Sequence, residues 1–471
     1  MAENKGPRIS RRRVLQSAAL AAGGLGLKAL GLSPAAQAAQ AAQAPAGPPA
    51  AAGSSMIGVP FEARSVVRVG LIGHGGRGAS LLHDLLGIPG VQVSAVCDLV
   101  KDRVAAAQAK VVKAGQKEPA GYSAGERDFE NLVKRDDLDV VYIPTPWRWH
   151  VPMAVAAMEA GKHVFVEVPA ASTLEDCWRL VDTSERTRRH CVMLENCCYG
   201  ENELMVLGMV RAGLFGELTH AEAAYIHDLG KKILFDNLEG LWRRDEHFTR
   251  NGNLYPTHGL GPVAHYLDIN RGDRFEALVS MSSREASLSA RRDRLPAGDP
   301  RRKDTYACGD MNTSILRTAR GRTVLLQHDV VTPRPYTRIN HISGTKGAFR
   351  DYPARIFLDG SGKEEWGSLK PYKQRFEHPL WARLRKVASK SGHGGMDYVM
   401  SWRLMQCVRE GLVPDMDVYD AAAWSAPAPL SEDSIKAGSG AVAFPDFTRG
   451  RWNEPRVFAP GEVPAAVERT S

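Results

Sequence analysis

At 471 residues, 44% of them hydrophobic, the chain is long enough for two domains and a leader and can bury a globular core. Its net charge of +8 comes from 61 basic residues spread along the chain; no basic helix, zinc spacing or base-stacking motif accompanies them, which argues against a nucleic-acid partner. Seven cysteines without a CxxC pair argue against a disulfide framework and a zinc site, and no metal is expected.

The N-terminus carries Ser10-Arg11-Arg12-Arg13-Val14-Leu15-Gln16, then an Ala/Gly/Leu run over 17–32 and Ala-Gln-Ala triplets at 36–38 and 39–41. Basic residues, apolar run and small-residue cleavage site stand in the order of a twin-arginine export signal, expected over 1–38. The run is too short and too rich in Gly and Ala for a stable membrane anchor. The expected partner is the twin-arginine export machinery, and the expected destination is periplasmic or extracellular. Residues 39–64 are expected to be an Ala/Pro/Gly-rich linker.

From 65 to 195 strands and helices alternate, which predicts a Rossmann domain with a doubly wound parallel sheet. The apolar run 66–72 breaks into Gly73-His74-Gly75-Gly76-Arg77-Gly78 and then a helical segment. In such a turn Gly73 permits the tight bend and Gly75 lets the backbone approach a pyrophosphate. Gly78 lets helix and strand pack closely while the helix N-terminus faces the anion. A second strand, 91–97, ends in Asp98, 20 positions after Gly78. A carboxylate there accepts ribose hydroxyls and repels a 2′-phosphate, so NAD is expected rather than NADP.

A polar helix at 101–117 and a strand at 139–143 lead to Trp147-Arg148-Trp149-His150, beyond a strand's carboxyl end and so beside the cofactor. A helix over 153–160 and a strand over 163–168 then reach Glu167-Val168-Pro169. A helix over 174–188 and a strand over 192–194 follow, with the polar exit Glu195-Asn196-Cys197-Cys198-Tyr199. Over 196–471 the pattern changes to strands at 216–227 and 277–283, a hairpin of 313–318 and 323–331, and a strand at 337–344. They predict an α+β domain with an open, largely antiparallel sheet, and the helical segment 397–410 is expected to pack back on the first domain. Glu222, His227 and Asp228 match no recognised ligand spacing. Asp245, Glu246 and His247 read as solvated surface.

Glu-x-Pro after the fifth strand resembles the glucose-fructose oxidoreductase, inositol dehydrogenase and MocA superfamily. Its dehydrogenases usually carry a lysine where Val168 stands, and that lysine helps polarise the hydroxyl being oxidised, so its absence weakens a plain sugar-dehydrogenase reading. Further segments resemble glycoside hydrolase family 109, the NAD-dependent α-N-acetylgalactosaminidases. They include Trp147 to His150, Glu195 to Gly200, Trp242-Arg243, Arg334-Pro335-Tyr336, His393-Gly394-Gly395-Met396-Asp397 and, most specifically, the thirteen residues from Arg250 to Pro262. Gly76 departs from the polar residue common in that family.

The resemblance implies NAD contacts at Gly76, Arg77, Asp98, Trp147, Arg148, Trp149, His150, Glu167, Val168 and Asn196. It implies substrate contacts at Tyr225, Arg243, Tyr255, Pro256, Thr257, His258 and Tyr336, with His258, Tyr255 and Tyr199 as candidates for proton chemistry. No pair of carboxylates marks a conventional glycosidase. The activity implied is hydrolysis of α-N-acetylgalactosaminides by NAD-dependent oxidation, elimination, water addition and reduction. A sugar oxidoreductase with tightly bound NAD and a non-catalytic sugar-binding homologue are the alternatives. The ligand is a small molecule or glycan, and the oligomeric state stays open, a homo-oligomer included.

Overall fold

The computed structural model describes residues 54–230, 241–362, 364–454 and 456. The expected export signal and the linker up to residue 53 lie outside the described residues. The last part of that linker is not loose: Met56 and Phe61 are buried. The Phe61 N–H bonds the Leu412 carbonyl, and its ring meets His163 and His190 at 4.9 and 4.3 Å.

Short apolar runs build the first sheet: β1 Val67–Ile72, β2 Val91–Cys97, β3 Ala120–Tyr122, β4 Val140–Ile143, β5 His163–Val166 and β6 Cys191–Met193. All pair in parallel in the order β3-β2-β1-β4-β5-β6. Because helices cover both faces, β4 and β5 are buried at every position rather than alternating. The order reverses between β1 and β4, and a crevice opens beyond the carboxyl ends of these strands. Strand β3 carries only Ala-Gly-Tyr and so lacks the apolar signal that marks its neighbours.

The second sheet contains β7 Leu218–Ile226, β8 Phe275–Ser282, β9 Asn312–Thr318, β10 Thr323–Asp329, β11 His341–Gly344, β12 Gly347–Arg350, β13 Arg355–Leu358, β14 Gly367–Ser368 and β15 Val442–Ala443. Their order is β14-β13-β12-β11-β7-β10-β9-β8-β15, antiparallel except where β7 runs parallel to β10. The strand expected over 337–344 is shorter. Ile339 and Asn340 have φ of 61° and 46°, which takes the chain out of the extended region, and Thr337 keeps a single bridge to Ile226.

Three helices join the sheets. Thr257–Tyr266 packs on β7, Met396–Glu410 packs on the first helix Gly76–Leu86, and Val418–Ser425 packs on β6 and the helix Leu174–Thr187. A further helix, Trp147–Glu159, begins six residues before the expected 153. Its helical spacing turns Trp147 and His150 inward and Arg148 outward.

Gly73 and Gly78 hold the turn that begins this architecture. Gly73 has φ of 100°, and a Cβ there would stand 3.0 Å from the Pro144 carbonyl across the strand-order switch. A Cβ on Gly78 would stand 1.9 Å from the Gly73 carbonyl oxygen, a backbone atom that cannot swing aside. Gly76 has open space around it, so the family's polar side chain would fit and its absence costs the turn nothing. Gly78→Ala is expected to destabilise the protein by about 1–3 kcal/mol, read from denaturant midpoints, whereas Gly76→Ser leaves the midpoint unchanged.

Candidate active site

Gly73, Gly75, Gly76 and Arg77 from the β1 exit, Asp98 from β2, Trp147 to His150 from β4, and Glu167 and Val168 from β5 line one groove. The Asp98 carboxylate accepts the His74 N–H at 2.7 Å and the Val100 N–H at 2.9 Å, which fixes it at the groove's edge. Glycine amides at a helix N-terminus and an anchored acid at the β2 end fit a dinucleotide. Of the other expected cofactor residues, Gly78 stands behind the turn. Asn196 instead donates to Asp397 at 2.6 Å.

That bond belongs to a knot around the buried Asp397 carboxylate. Arg77 donates through Nε to Glu167 at 2.6 Å and through Nη1 to Asp397 at 2.5 Å, and His393 Nδ1 lies 2.8 Å from the same Asp397 carboxylate. Burial alone would raise the Asp397 carboxyl, but His393 and Arg77 outweigh it and hold the group below its ordinary 3.8. Its stabilising contribution is therefore present above pH 3.8 and is lost as the pH falls through the lower folded-state value. Sequence spacing did not single out Asp397, which lies 320 positions from Arg77.

Beside the groove stands an aromatic cluster. Tyr225 stacks on Tyr255 at 4.5 Å, Tyr255 lies 5.8 Å from Trp147, and Tyr225 lies 6.4 Å from Tyr336. The Arg243 guanidinium sits over the rings of Trp147, Trp242 and Tyr255 at 5.2, 4.6 and 5.4 Å. His247 is buried here, with Nδ1 2.9 Å from the Arg243 carbonyl, and Glu246 pairs with Arg250. The expected solvated cluster is thus reduced to Asp245, because helix Trp242–Thr249 turns the other two inward.

His258 occupies the first turn of helix Thr257–Tyr266, while Pro256 and Thr257 are buried and shape that turn. The helix comes close to β7 because Gly259 has no Cβ: one would lie 2.4 Å from the Ala224 amide nitrogen. This approach puts His258 Nδ1 2.7 Å from Glu195 Oε1 and His258 Nε2 3.3 Å from the Tyr255 hydroxyl. Glu195 is fully buried. Burial raises its carboxyl, yet His258 and the Cys197 N–H prevail and the net shift is downward, so it is a carboxylate at neutral pH. Burial also pushes the Tyr255 phenol well above its ordinary 10.0.

Glu195 is the member of this cluster that sequence reasoning placed in a family-like segment but gave no role. It is adjacent to Asn196, but it meets His258 only through the fold. Tyr199 does not join the cluster: its hydroxyl is buried and donates to Asp415 at 3.0 Å, and Arg403 braces the same carboxylate. The structure therefore corrects Tyr199 from a proton-transfer candidate to a structural tyrosine. Glu195, Cys197 and His258 bring ligand-type atoms within 4.8 Å of one another, but the shortest approach is the direct hydrogen bond already described.

Residues 67–195 match the family model of the oxidoreductase family, NAD-binding Rossmann fold, and residues 199–454 match that of the glycosyl hydrolase 109 C-terminal domain. A glycosyl hydrolase family 109 protein of Solibacter usitatus is 59% identical over 402 residues, covering 84% of this chain and 92% of that one. Another, from Saccharopolyspora erythraea, is 51% identical over 467 residues, covering 98% and 99%. A levoglucosan dehydrogenase solved with NADH and levoglucosan shares the fold at a TM-score of 0.62 and 19% identity, covering 80% of this chain and 99% of that one. The groove is thus an NAD site. Asp397→Asn is expected to weaken NAD binding about tenfold, near 1.4 kcal/mol, in a calorimetric titration of the cofactor-stripped protein.

Proposed function

The chain belongs to glycosyl hydrolase family 109, and from that membership we propose that it hydrolyses α-N-acetylgalactosaminides on a nicotinamide cofactor restored within every turnover. The observation that carries this reading is the Glu195–His258–Tyr255 relay standing beside the NAD groove. When bound, NAD+ supplies a hydride acceptor and, once reduced, the donor that closes the cycle, so no external oxidant is needed.

With a ketone at C3 of the sugar, the proton on C2 becomes acidic. Glu195 accepts the Nδ1–H of His258, which leaves the Nε2 lone pair as the base for that proton. Tyr255, kept protonated by burial, is the hydrogen-bond donor to oxygen that gains negative charge. The bond from C1 to the leaving oxygen breaks as the C2–H electrons form a double bond. Water then adds at C1 as its proton passes to the departed oxygen, and His258 returns the C2 proton to C2. Tyr225 and Tyr336 wall the sugar, and Arg243, fixed over three rings, orients it. A net dehydrogenase is disfavoured because Val168 stands where the lysine of that chemistry is usual.

The purified protein is expected to release p-nitrophenol from the α-N-acetylgalactosaminide anaerobically without added NAD and with no net change in cofactor absorbance. Cofactor-loaded protein that releases none would sink the reading. Glu195→Gln is expected to lower kcat about 100-fold while KM stays within about threefold, since Glu195 acts by positioning His258. We also propose, from Ser10 to Gln16, that the folded protein is exported with its cofactor bound to a periplasmic or extracellular site. The double substitution Arg11→Lys and Arg12→Lys is expected to keep it in the cytoplasmic fraction.

A further inference from the structure

A glycosidase seats two groups, the sugar whose bond is cut and the group that leaves. The NAD groove and the aromatic cluster account for the first. Beyond Tyr336 lies a second cavity of about 310 Å³, a size that suits a small ligand. Asn202, Asp351, Tyr352, Trp381, His393 and Met396 are among the residues around it. The Tyr352 ring stands 5.7 Å from Tyr336 and completes a row of five rings, Trp147, Tyr255, Tyr225, Tyr336 and Tyr352, running from the NAD groove to this cavity. Met396 and His393 tie its far wall to the Asp397 knot at the cofactor turn.

Most of the cavity's charges are paired. Arg338 pairs with Glu203, Glu201 holds Lys373 and Arg385 at 2.5 and 2.6 Å, and His393 bonds Asp397. Asn202 donates to Asp351 at 2.9 Å. The Tyr352 hydroxyl is engaged by Arg338 Nε at 2.7 Å, so this side chain offers its ring. The Asp351 carboxylate, held by the Asn202 amide and the Tyr352 N–H, opposes an anionic guest. An apolar guest would strip water from Asn202 and Asp351 and give nothing back. Tyr352 and His393 have φ of 63° and 50°, and such backbone strain in residues other than glycine gathers at binding sites.

We infer that this second cavity is the leaving-group subsite and that it takes a neutral, hydroxyl-rich glycosyl unit. The inference rests on the glycosidase reading above. Tyr352 supplies the platform on which the leaving sugar stacks, and Asn202 and Asp351 bond its hydroxyls.

The test compares α-N-acetylgalactosaminyl-(1→3)-galactose with the p-nitrophenyl glycoside, whose leaving group has no hydroxyls to recognise. Tyr352→Ala is expected to lower kcat/KM on the disaccharide at least tenfold and on the aryl glycoside no more than threefold, with Tyr352→Phe restoring the disaccharide rate. Asn202→Ala, outside the ion pairs, is a second variant expected to show the same selective loss should Tyr352→Ala fold poorly. Equal losses on both substrates, or no loss on the disaccharide, overturn the subsite while leaving the glycosidase reading intact. Wild-type protein that hydrolyses neither substrate overturns that reading and the subsite with it.

Discussion

A single buried carboxylate, Asp397, holds the site together. It receives Arg77 from the first turn of the chain's fold, Asn196 from the exit of the last parallel strand, and His393 from the loop before its own helix. A charge so deep in protein would cost several kcal/mol of lost hydration if left alone. Three directed partners offset that cost, and one of them lies 320 residues away in sequence. The position of the cofactor turn relative to the second half of the chain therefore depends on one group being ionised and fully bonded.

The same logic governs the imidazole. His258 has a defined proton arrangement because Glu195 is buried, ionised and within 2.7 Å of Nδ1. Helix Thr257–Tyr266 could not bring them together if Gly259 carried a side chain against Ala224. Packing between helix and sheet thus decides the chemistry that a loop histidine could not perform alone. Tyr255 follows from the same burial: enclosed by Tyr225 and Trp147, it holds its proton against the nearby Arg243 charge and acts as a donor.

The row of rings connects these two constraints. Trp147 belongs to the cofactor groove, Tyr255 and Tyr225 to the reacting centre, and Tyr336 and Tyr352 to segments flanking the positive-φ residues Ile339 and Asn340. An ordinary strand over 337–344 would have continued β11 and carried this segment along the sheet. The break places one tyrosine at the centre and the next at the second cavity. Charge pairing around that cavity leaves shape and hydrogen bonding as the means of recognition.

The linear order of residues was enough for five of the six parallel strands, the glycine turn and Asp98. Strand, turn and acid lie within one βαβ unit, where local spacing maps directly onto distance. Strands β7 to β11 of the second sheet were legible for a similar reason, since apolar alternation reports a half-buried face, whereas β12 to β15, of two to four residues each, are too short to show it. Family likeness supplied Tyr225, Arg243, Tyr255, His258 and Tyr336, which the fold brings to one cluster, and also Tyr199, whose hydroxyl the fold turns away to Asp415. The partners of Glu195 and Asp397, residues known from sequence only as parts of family-like segments, and the cavity at Tyr352 were decided by tertiary structure alone. Their partners are distant in sequence, and no periodicity records which buried carboxylate will face which cation or imidazole. That is settled only when sheets and helices pack and each charge taken from water must find a neighbour.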